Sequence, residues 1–370
     1  MPKIFFFQHQ NMELIVENGK PRGGAAVQTL VWMQAFHELG FEVFLAKFEN
    51  DNRKLLAEFD WVKPISIYHP EKYKKRLTWF TYRFPSIYSA LKKSGSDYLY
   101  ISIPRWTTFY LGIICKILGI KKIIRIANDN VLDNRIFVDH KRVEAFFIKL
   151  ALKYSDLTLT QNEFQFKTLK KRSPKNLVFK FFNPVIIDYR FLKPKNLSSQ
   201  GYIAWIANFR YQKNLSLLYQ IAKNITEINF KIAGEPLFPM DDETKDNIDF
   251  LKRLPNVEFV GILKRSEVLP FLSNANFLLN TSRYEGFSNT FLEAMLTGTP
   301  ILTTSNVNPD GIIDDNNLGY VYEDSDDLKG ILKSISESEY KSKSNAMINF
   351  VKENHDHIIL GNKVLEILPK

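Results

Sequence analysis

Glu285 and Glu293 stand eight positions apart in the run RYEGFSNTFLEAMLTGTP, residues 283–300, and no other stretch of the chain concentrates as much potential chemistry. An apolar run at 277–280 leads into a polar loop with Glu285, Gly286 and Ser288. A helical stretch follows with Glu293, Ala294 and Met295, and Gly298 ends it. Carboxylates accept hydrogen bonds from neutral hydroxyls. Backbone N–H groups at a helix start favour an anion such as a diphosphate. Open α/β sheets bind ligands at the carboxyl edge of their strands. A local alternative exists for Glu293. Thr290 and Glu293 have the spacing of a capping box, with Thr290 as the cap and Glu293 reaching back.

Strands and helices must alternate to hold these groups in place. In the first half, apolar runs at 4–7 and 42–45 read as strands around a helix at about 25–39. Runs at 98–103 and 122–127 bracket another helix, and 157–160 and 177–181 continue the rhythm. The second half restarts it with strands at 202–207, 228–233, 257–260, 277–280 and 301–303. This alternation implies βαβ units and parallel sheets. The stretch 184–200 carries two prolines and a Ser-Ser pair. The expected organisation is a first domain at 1–185, a linker at 186–200, a second domain at 201–345 and a C-terminal helix at 346–370. Two doubly wound, Rossmann-like domains facing across a cleft are the natural architecture for 370 residues.

Charge is unevenly distributed. Residues 1–185 hold 30 Lys and Arg against 16 Asp and Glu, whereas the remainder holds 20 against 24. The first half therefore calls for an anionic partner, nucleic acid or an anionic membrane surface. Segment 71–93 mixes Lys72, Lys74, Lys75, Arg76, Arg83, Lys92 and Lys93 with Trp79, Phe80, Tyr82 and Phe84, a blend suited to a membrane–water interface. The competing expectation is a core-packed helix with a solvated basic face. Cys115 is the sole cysteine, which excludes intrachain disulfides and cysteine-rich metal sites. No apolar run reaches the ~18 residues of a membrane span. The start MPKIFFFQHQ reads as a strand rather than a leader. The expected location is the cytoplasm, with peripheral attachment at the inner face of the membrane.

A diphosphate beside two polyhydroxylated rings describes a nucleotide sugar. The 285–300 pattern resembles the E-x7-E signature of the retaining, family-4 type glycosyltransferases (glycosyl transferases group 1). The match extends to Gly286, Phe287, Leu292, Ala294, Met295, Gly298 and Pro300. The resemblance implies the GT-B fold, retention of anomeric configuration, and a last helix, near 344–370, crossing back to the first domain. It implies that Glu285 contacts donor-sugar hydroxyls and Glu293 the ribose, with Gly286, Phe287, Ser288 and Asn289 lining the donor. Lys213, opening a helix after the strand in GYIAWIANFRYQKN, matches the family lysine on the diphosphate. The family arginine five positions earlier is replaced by Asn208, so Arg210 is expected to take that role. Such cations stabilise a leaving diphosphate without metal or other cofactor.

Gly23 and Gly24, after Arg22, match the loop that faces the donor phosphates, although Ala26 stands where relatives carry an acid. Gly234, in Gly234-Glu235-Pro236, and the segment NVEFVGI at 256–262 resemble the base-side loops. Asp129, in Asn128-Asp129-Asn130, lies where many relatives place a histidine. It is expected to orient or deprotonate an acceptor hydroxyl, or else to belong to a polar turn. Asn183-Pro184 and Asn308-Pro309-Asp310-Gly311 read as structural turns. The expected partners are a nucleotide sugar and a glycan or lipid-linked glycan acceptor, in surface-polysaccharide or glycolipid assembly, with no nucleic acid. Rival readings are a nucleotide-sugar epimerase or a phosphorylase on the same fold, a catalytically silent sugar-nucleotide sensor, and a basic nucleic-acid-binding protein. The phosphorylase lacks its cofactor lysine, and the nucleic-acid reading lacks a recognisable motif.

Overall fold

The computed structural model describes residues 1–20, 23–72 and 79–369. Arg22 and, from the basic–aromatic segment, Lys74, Lys75 and Arg76 lie outside the described residues. The chain divides into two units, Met1–Ile186 with His357–Lys370, and Ile187–Asp356.

The first unit contains strands β1 (Lys3–Phe6), β2 (Glu42–Lys47), β3 (Lys63–Ser66), β4 (Tyr98–Ile101), β5 (Lys121–Arg125), β6 (Leu157–Thr160) and β7 (Val178–Lys180). They form one parallel sheet in the order β3-β2-β1-β4-β5-β6-β7. Its helices are α1 (Met12–Ile15), α2 (Gly24–Glu38), α3 (Phe84–Ser94), α4 (Thr107–Leu118), α5 (Ile136–Asp139), α6 (Arg142–Lys153) and α7 (Glu163–Arg172). Strand side chains alternate between two cores, as a period of two requires. Ile4 and Phe6 pack with Val43, Leu45 and Tyr100 against Trp32 and Phe36 of α2. Phe5 turns the other way, to Leu99, Leu91 of α3 and Ile114 of α4.

The second unit contains β8 (Tyr202–Ile206), β9 (Phe230–Ala233), β10 (Val257–Gly261), β11 (Ala275–Leu279), β12 (Ile301–Thr304) and β13 (Gly319–Tyr322). These strands are parallel in the order β10-β9-β8-β11-β12-β13. Between them run α8 (Leu215–Asn224), α9 (Asp242–Leu251), α10 (Arg265–Asn274), α11 (Asn289–Leu296) and α12 (Ile312–Asp315). After them come α13 (Ser325–Ser334), α14 (Glu337–Asn354) and finally α15 (His357–Ile367). In each sheet the strand order reverses once, between β1 and β4 and between β8 and β11, giving two doubly wound, Rossmann-like units.

Several local expectations change. Edge strands β3 and β13 were not anticipated, because Lys-Pro-Ile-Ser and Gly-Tyr-Val-Tyr carry little apolar run and β3 stays largely accessible. The C-terminal helical segment is two helices, broken at His355 and Asp356. Of these, α15 packs through Leu360 and Val364 into the core of the first unit. The Thr290–Glu293 capping box does not form. Helix α11 begins at Asn289 with Ser288 at the N-cap, and the Thr290 hydroxyl instead meets Ser288 Oγ at 2.8 Å. In segment 71–93, Trp79 is buried against Trp106 and Tyr110, and Phe84 packs beside it. Phe80 is the one large apolar side chain there that stays exposed among the described residues.

Candidate functional site

The loops leaving β8 and β11 meet at the switch point of the second sheet. A short 3-10 turn, Tyr211–Lys213, follows β8 and hands over to α8. Asn214 caps that helix from a left-handed conformation by accepting from Leu217 N. The turn is clamped to the β11 loop. Thr281 Oγ1 donates to Lys213 O at 2.8 Å and accepts from Trp205 Nε1 at 3.0 Å. Arg283 N donates to Gln212 O at 2.8 Å, and Gln212 Nε2 donates to Tyr284 O at 2.7 Å. The Arg283 guanidinium lies 4.1 Å from the Tyr211 ring centroid and pairs with Glu243 of α9. Asp241, the N-cap of α9, accepts from Tyr211 N at 3.0 Å.

This clamp brings Lys213 and Glu285, 72 residues apart in sequence, into direct contact as an ion pair. Both side chains are nearly enclosed, at 15% and 9% exposure. Ser282 Oγ donates to Glu285 Oε1 at 2.6 Å. Burial alone would push the Glu285 carboxyl up. The Lys213 ammonium and hydrogen bonds from Lys213, Ser282 and Ser288 outweigh it and hold the carboxyl below its ordinary value. A buried charge survives only when paired and hydrogen-bonded in this way. Arg210 opens the same turn from an extended backbone and projects into solvent.

Glu293 has the opposite environment. It sits on α11 among buried Leu292, Ala294 and Met295. Burial pushes its carboxyl up to about 7, opposed by the charge of Arg265 at the start of α10. Ser288 provides no side-chain cap to α11. Phe287 stacks near Phe291 and His355, which anchors the loop that carries Gly286 and Asn289.

Gly234 ends β9 with φ +134°, and a Cβ there would stand 1.9 Å from Ala207 O. Only glycine permits that approach of the β9 and β8 loops. Gly23 is the N-cap of α2 with φ +82°, and a Cβ on it would meet nothing within 4 Å. Its positive φ is a backbone requirement, and the open space beside it suits close approach of a ligand. Gly24 is the first residue of α2.

Asp129 belongs to the first unit. It follows β5 in a 3-10 turn, and its Oδ1 accepts from Asn162 Nδ2 at 3.1 Å and Gln165 Nε2 at 2.7 Å at the start of α7. The switch point of the first sheet carries a group that sequence reading passed over. His9 lies against Phe48, ring centroids 4.2 Å apart and tilted, and burial, aided by the charge of Arg105, lowers its imidazole to about 4. Thr281, Ser282, Gln212 and Arg283 were also missed. Their roles depend on contacts across 68 to 76 residues for Thr281 and 72 for Gln212, and no local pattern announces them. Among the described residues no group of three or more His, Cys, Asp and Glu is placed to hold a metal ion.

Residues 190–354 match the family model of the glycosyl transferases group 1. Alpha-monoglucosyldiacylglycerol synthase of Streptococcus pneumoniae is 24% identical over 131 residues, 34% of this chain and 29% of that protein. The match thus spans under a third of that relative's length. Among solved structures, Anabaena HepE in complex with UDP and glucose superposes with a TM-score of 0.73 at 14% identity, over 99% of both chains. TarM of S. aureus, in complex with Fondaparinux, alpha-GlcNAc-glycerol and UDP, superposes at 0.74 and 12% identity, again over 99% of both chains. These likenesses over the full chain establish the fold as GT-B, and the matched segment covers almost all of the second unit. The likeness to the glycosyl transferases group 1 family thus rests on the second unit.

Proposed function

We propose that the chain transfers a sugar from a nucleotide-diphosphate sugar to a hydroxyl of a glycan or lipid-linked glycan, with retention of anomeric configuration, in surface-polysaccharide or glycolipid assembly. The Lys213–Glu285 pair at the second switch point carries this reading. A cation suited to a diphosphate and a carboxylate suited to sugar hydroxyls stand side by side in this pair, and a nucleotide sugar needs both.

In this reading Lys213 and solvent-facing Arg210 neutralise the charge that develops on the leaving diphosphate, aided by the N-terminus of α11. The reaction then needs no metal or other cofactor. Glu285 accepts from donor-sugar hydroxyls, with Gly286, Phe287, Ser288 and Asn289 shaping the pocket around it. Glu293 accepts from the ribose, and the loop at Gly234 approaches the base through its backbone. Asp129, its carboxylate already oriented by Asn162 and Gln165, orients the acceptor hydroxyl. The complexes of HepE and TarM with UDP and the lipid-directed name of the S. pneumoniae relative support the donor and acceptor classes. Attachment is peripheral, at the inner face of the membrane. No helix among the described residues is long and apolar enough to cross a membrane.

A thermal-shift screen of UDP, GDP, ADP and CMP sugars tests the donor site. A ligand at about 100 times its Kd stabilises the protein by ~2.7 kcal/mol. The expected result is stabilisation by one nucleotide class, lost in Glu293→Ala and Lys213→Ala. Absence of any shift in the wild type would overturn the proposal.

A further inference from the structure

We propose that the outer face of α4 and α6 is the surface by which this chain docks on an anionic lipid bilayer, an inference that rests on the lipid-linked acceptor part of the proposed function. Ile113 and Ile117 of α4 are 40% and 63% exposed, and Val143 and Phe146 of α6 are 67% and 57% exposed. Spacings of three and four residues put each pair on one side of its helix. The two helices are joined by ring contacts, Phe109 with Phe147 at 5.5 Å and Tyr110 with Phe147 at 5.4 Å. Phe80, the exposed aromatic of the basic segment, reaches the same cluster through Tyr110 at 5.2 Å. Exposed apolar side chains gathered on two packed helices suit an interaction site.

Charge decides which partner fits. No acidic residue occurs from 98 to 128, a stretch that holds Lys116, Lys121, Lys122 and Arg125. On α6, Lys149 lies 5.2 Å from the ring centroid of exposed Phe137, and Lys153 lies 5.6 Å from that of Tyr154. A groove of ≈ 610 Å³ between the ends of α4 and α6 is lined by Lys116, Lys121, Lys122 and Lys153, with Asp156 as its one acid. Lys122 is 2% exposed, and its ammonium makes one hydrogen bond among the described residues, to Ala151 O at 3.4 Å. Two acids, Glu144 of α6 and Asp156 at the groove, are outnumbered by these lysines. Glu144 accepts from Lys141 N, and Asp156 accepts from Lys122 N. Exposed apolar side chains ringed by lysines match the headgroup–acyl boundary of an anionic bilayer. A second copy of the chain fits less well, because a two-fold contact would set one basic face against another.

Flotation of the full chain with phosphatidylcholine vesicles, with and without phosphatidylglycerol, tests the inference. Wild type is expected to float only with the anionic vesicles and to dissociate at high salt. Ile117→Glu/Phe146→Glu is expected to abolish flotation. Lys149→Glu/Lys153→Glu should lower the partition coefficient by more than roughly thirtyfold at low salt. Lys92→Glu/Lys93→Glu on α3 should retain most of the binding. The substituted side chains are exposed, and an unchanged nucleotide-sugar thermal shift confirms that each variant is folded. Failure of wild type to float, or flotation of Ile117→Glu/Phe146→Glu at the wild-type level, overturns the inference. So does sedimentation showing a dimer that Phe146→Glu dissociates. Vesicle binding without any nucleotide-sugar shift would instead sink the functional reading and leave the surface standing.

Discussion

At the carboxyl edge of the second sheet, Lys213 and Glu285 are held together as a nearly enclosed ion pair. At the same edge of the first sheet, His9 is an imidazole that burial and Arg105 keep neutral. The two units share one doubly wound topology, yet their switch points carry opposite electrostatic solutions. The second compensates its charges internally, in a unit whose half of the chain is mildly acidic. The first sets a neutral imidazole beside the Arg105 charge at its switch point and carries an excess of lysine and arginine. Topology thus chooses where a ligand binds, and the side chains set there choose which kind.

The largest test breaks the ion pair. Lys213→Met leaves the Glu285 carboxylate buried without its partner. It is expected to cost about 3 kcal/mol of stability in chemical denaturation, and sugar transfer by roughly a thousandfold. Lys213→Met/Glu285→Gln should regain most of the stability and none of the activity. Equal stability of the single and double variants would show that the pair is not compensating buried charge.

Two buried titrations sharpen the contrast through opposite pH slopes. Glu293 has a folded value near 7, above its ordinary 4.5, so the folded protein holds the proton more tightly than the unfolded chain. Its contribution is favourable below about 4.5 and is lost as pH rises through 7. Glu293→Gln should therefore stabilise the ligand-free protein by up to about 3 kcal/mol above pH ~7 and leave it unchanged at acid pH. Donor affinity of wild type should weaken below pH ~7, where the carboxylate acceptor is lost. His9 runs the other way. Its value falls from 6.5 to about 4, so its contribution is present above 6.5 and lost as pH falls toward 4. His9→Gln should flatten that acid limb in thermal melts across pH.

Glycines give a smaller contrast. Gly234→Ala combines φ +134° with a Cβ 1.9 Å from Ala207 O and should destabilise by about 3 kcal/mol. Gly23→Ala meets open space and should cost only the positive-φ backbone penalty, about 2 kcal/mol. The smallest expected change is in Arg283→Ala, whose pair with Glu243 is part-exposed. It should lower stability by under about 1 kcal/mol. It should still raise the donor KM severalfold, because the turn bearing Arg210 and Lys213 loses its clamp. An unchanged KM would mean that the remaining hydrogen bonds position the turn alone.

Central strands were legible because both faces of a parallel sheet are buried, so the ends of β1 and β11 appear as the apolar runs Ile4–Phe6 and Phe277–Leu279. Edge strands β3 and β13 escaped notice, since an edge needs less apolar surface and tolerates Pro64. The capping box was a sound local pattern that lost to tertiary context. Thr290 spends its hydroxyl on Ser288, while the packing around α11 leaves Glu293 partly buried. Segment 71–93 had the composition of an interface. Packing turned Trp79 and Phe84 inward and left the larger exposed apolar surface on α4 and α6.

By itself, the sequence determined what local periodicity and backbone freedom can determine. That includes alternating strands and helices, glycines at turns, the charge asymmetry and the spacing of Glu285 and Glu293. Tertiary structure alone decided the partnership of Lys213 with Glu285, the protonation of Glu293 and His9, and which face of α4 and α6 meets solvent. The reason is physical. Burial and Coulomb energy depend on neighbours brought together from distant parts of the chain, and no window of sequence contains them.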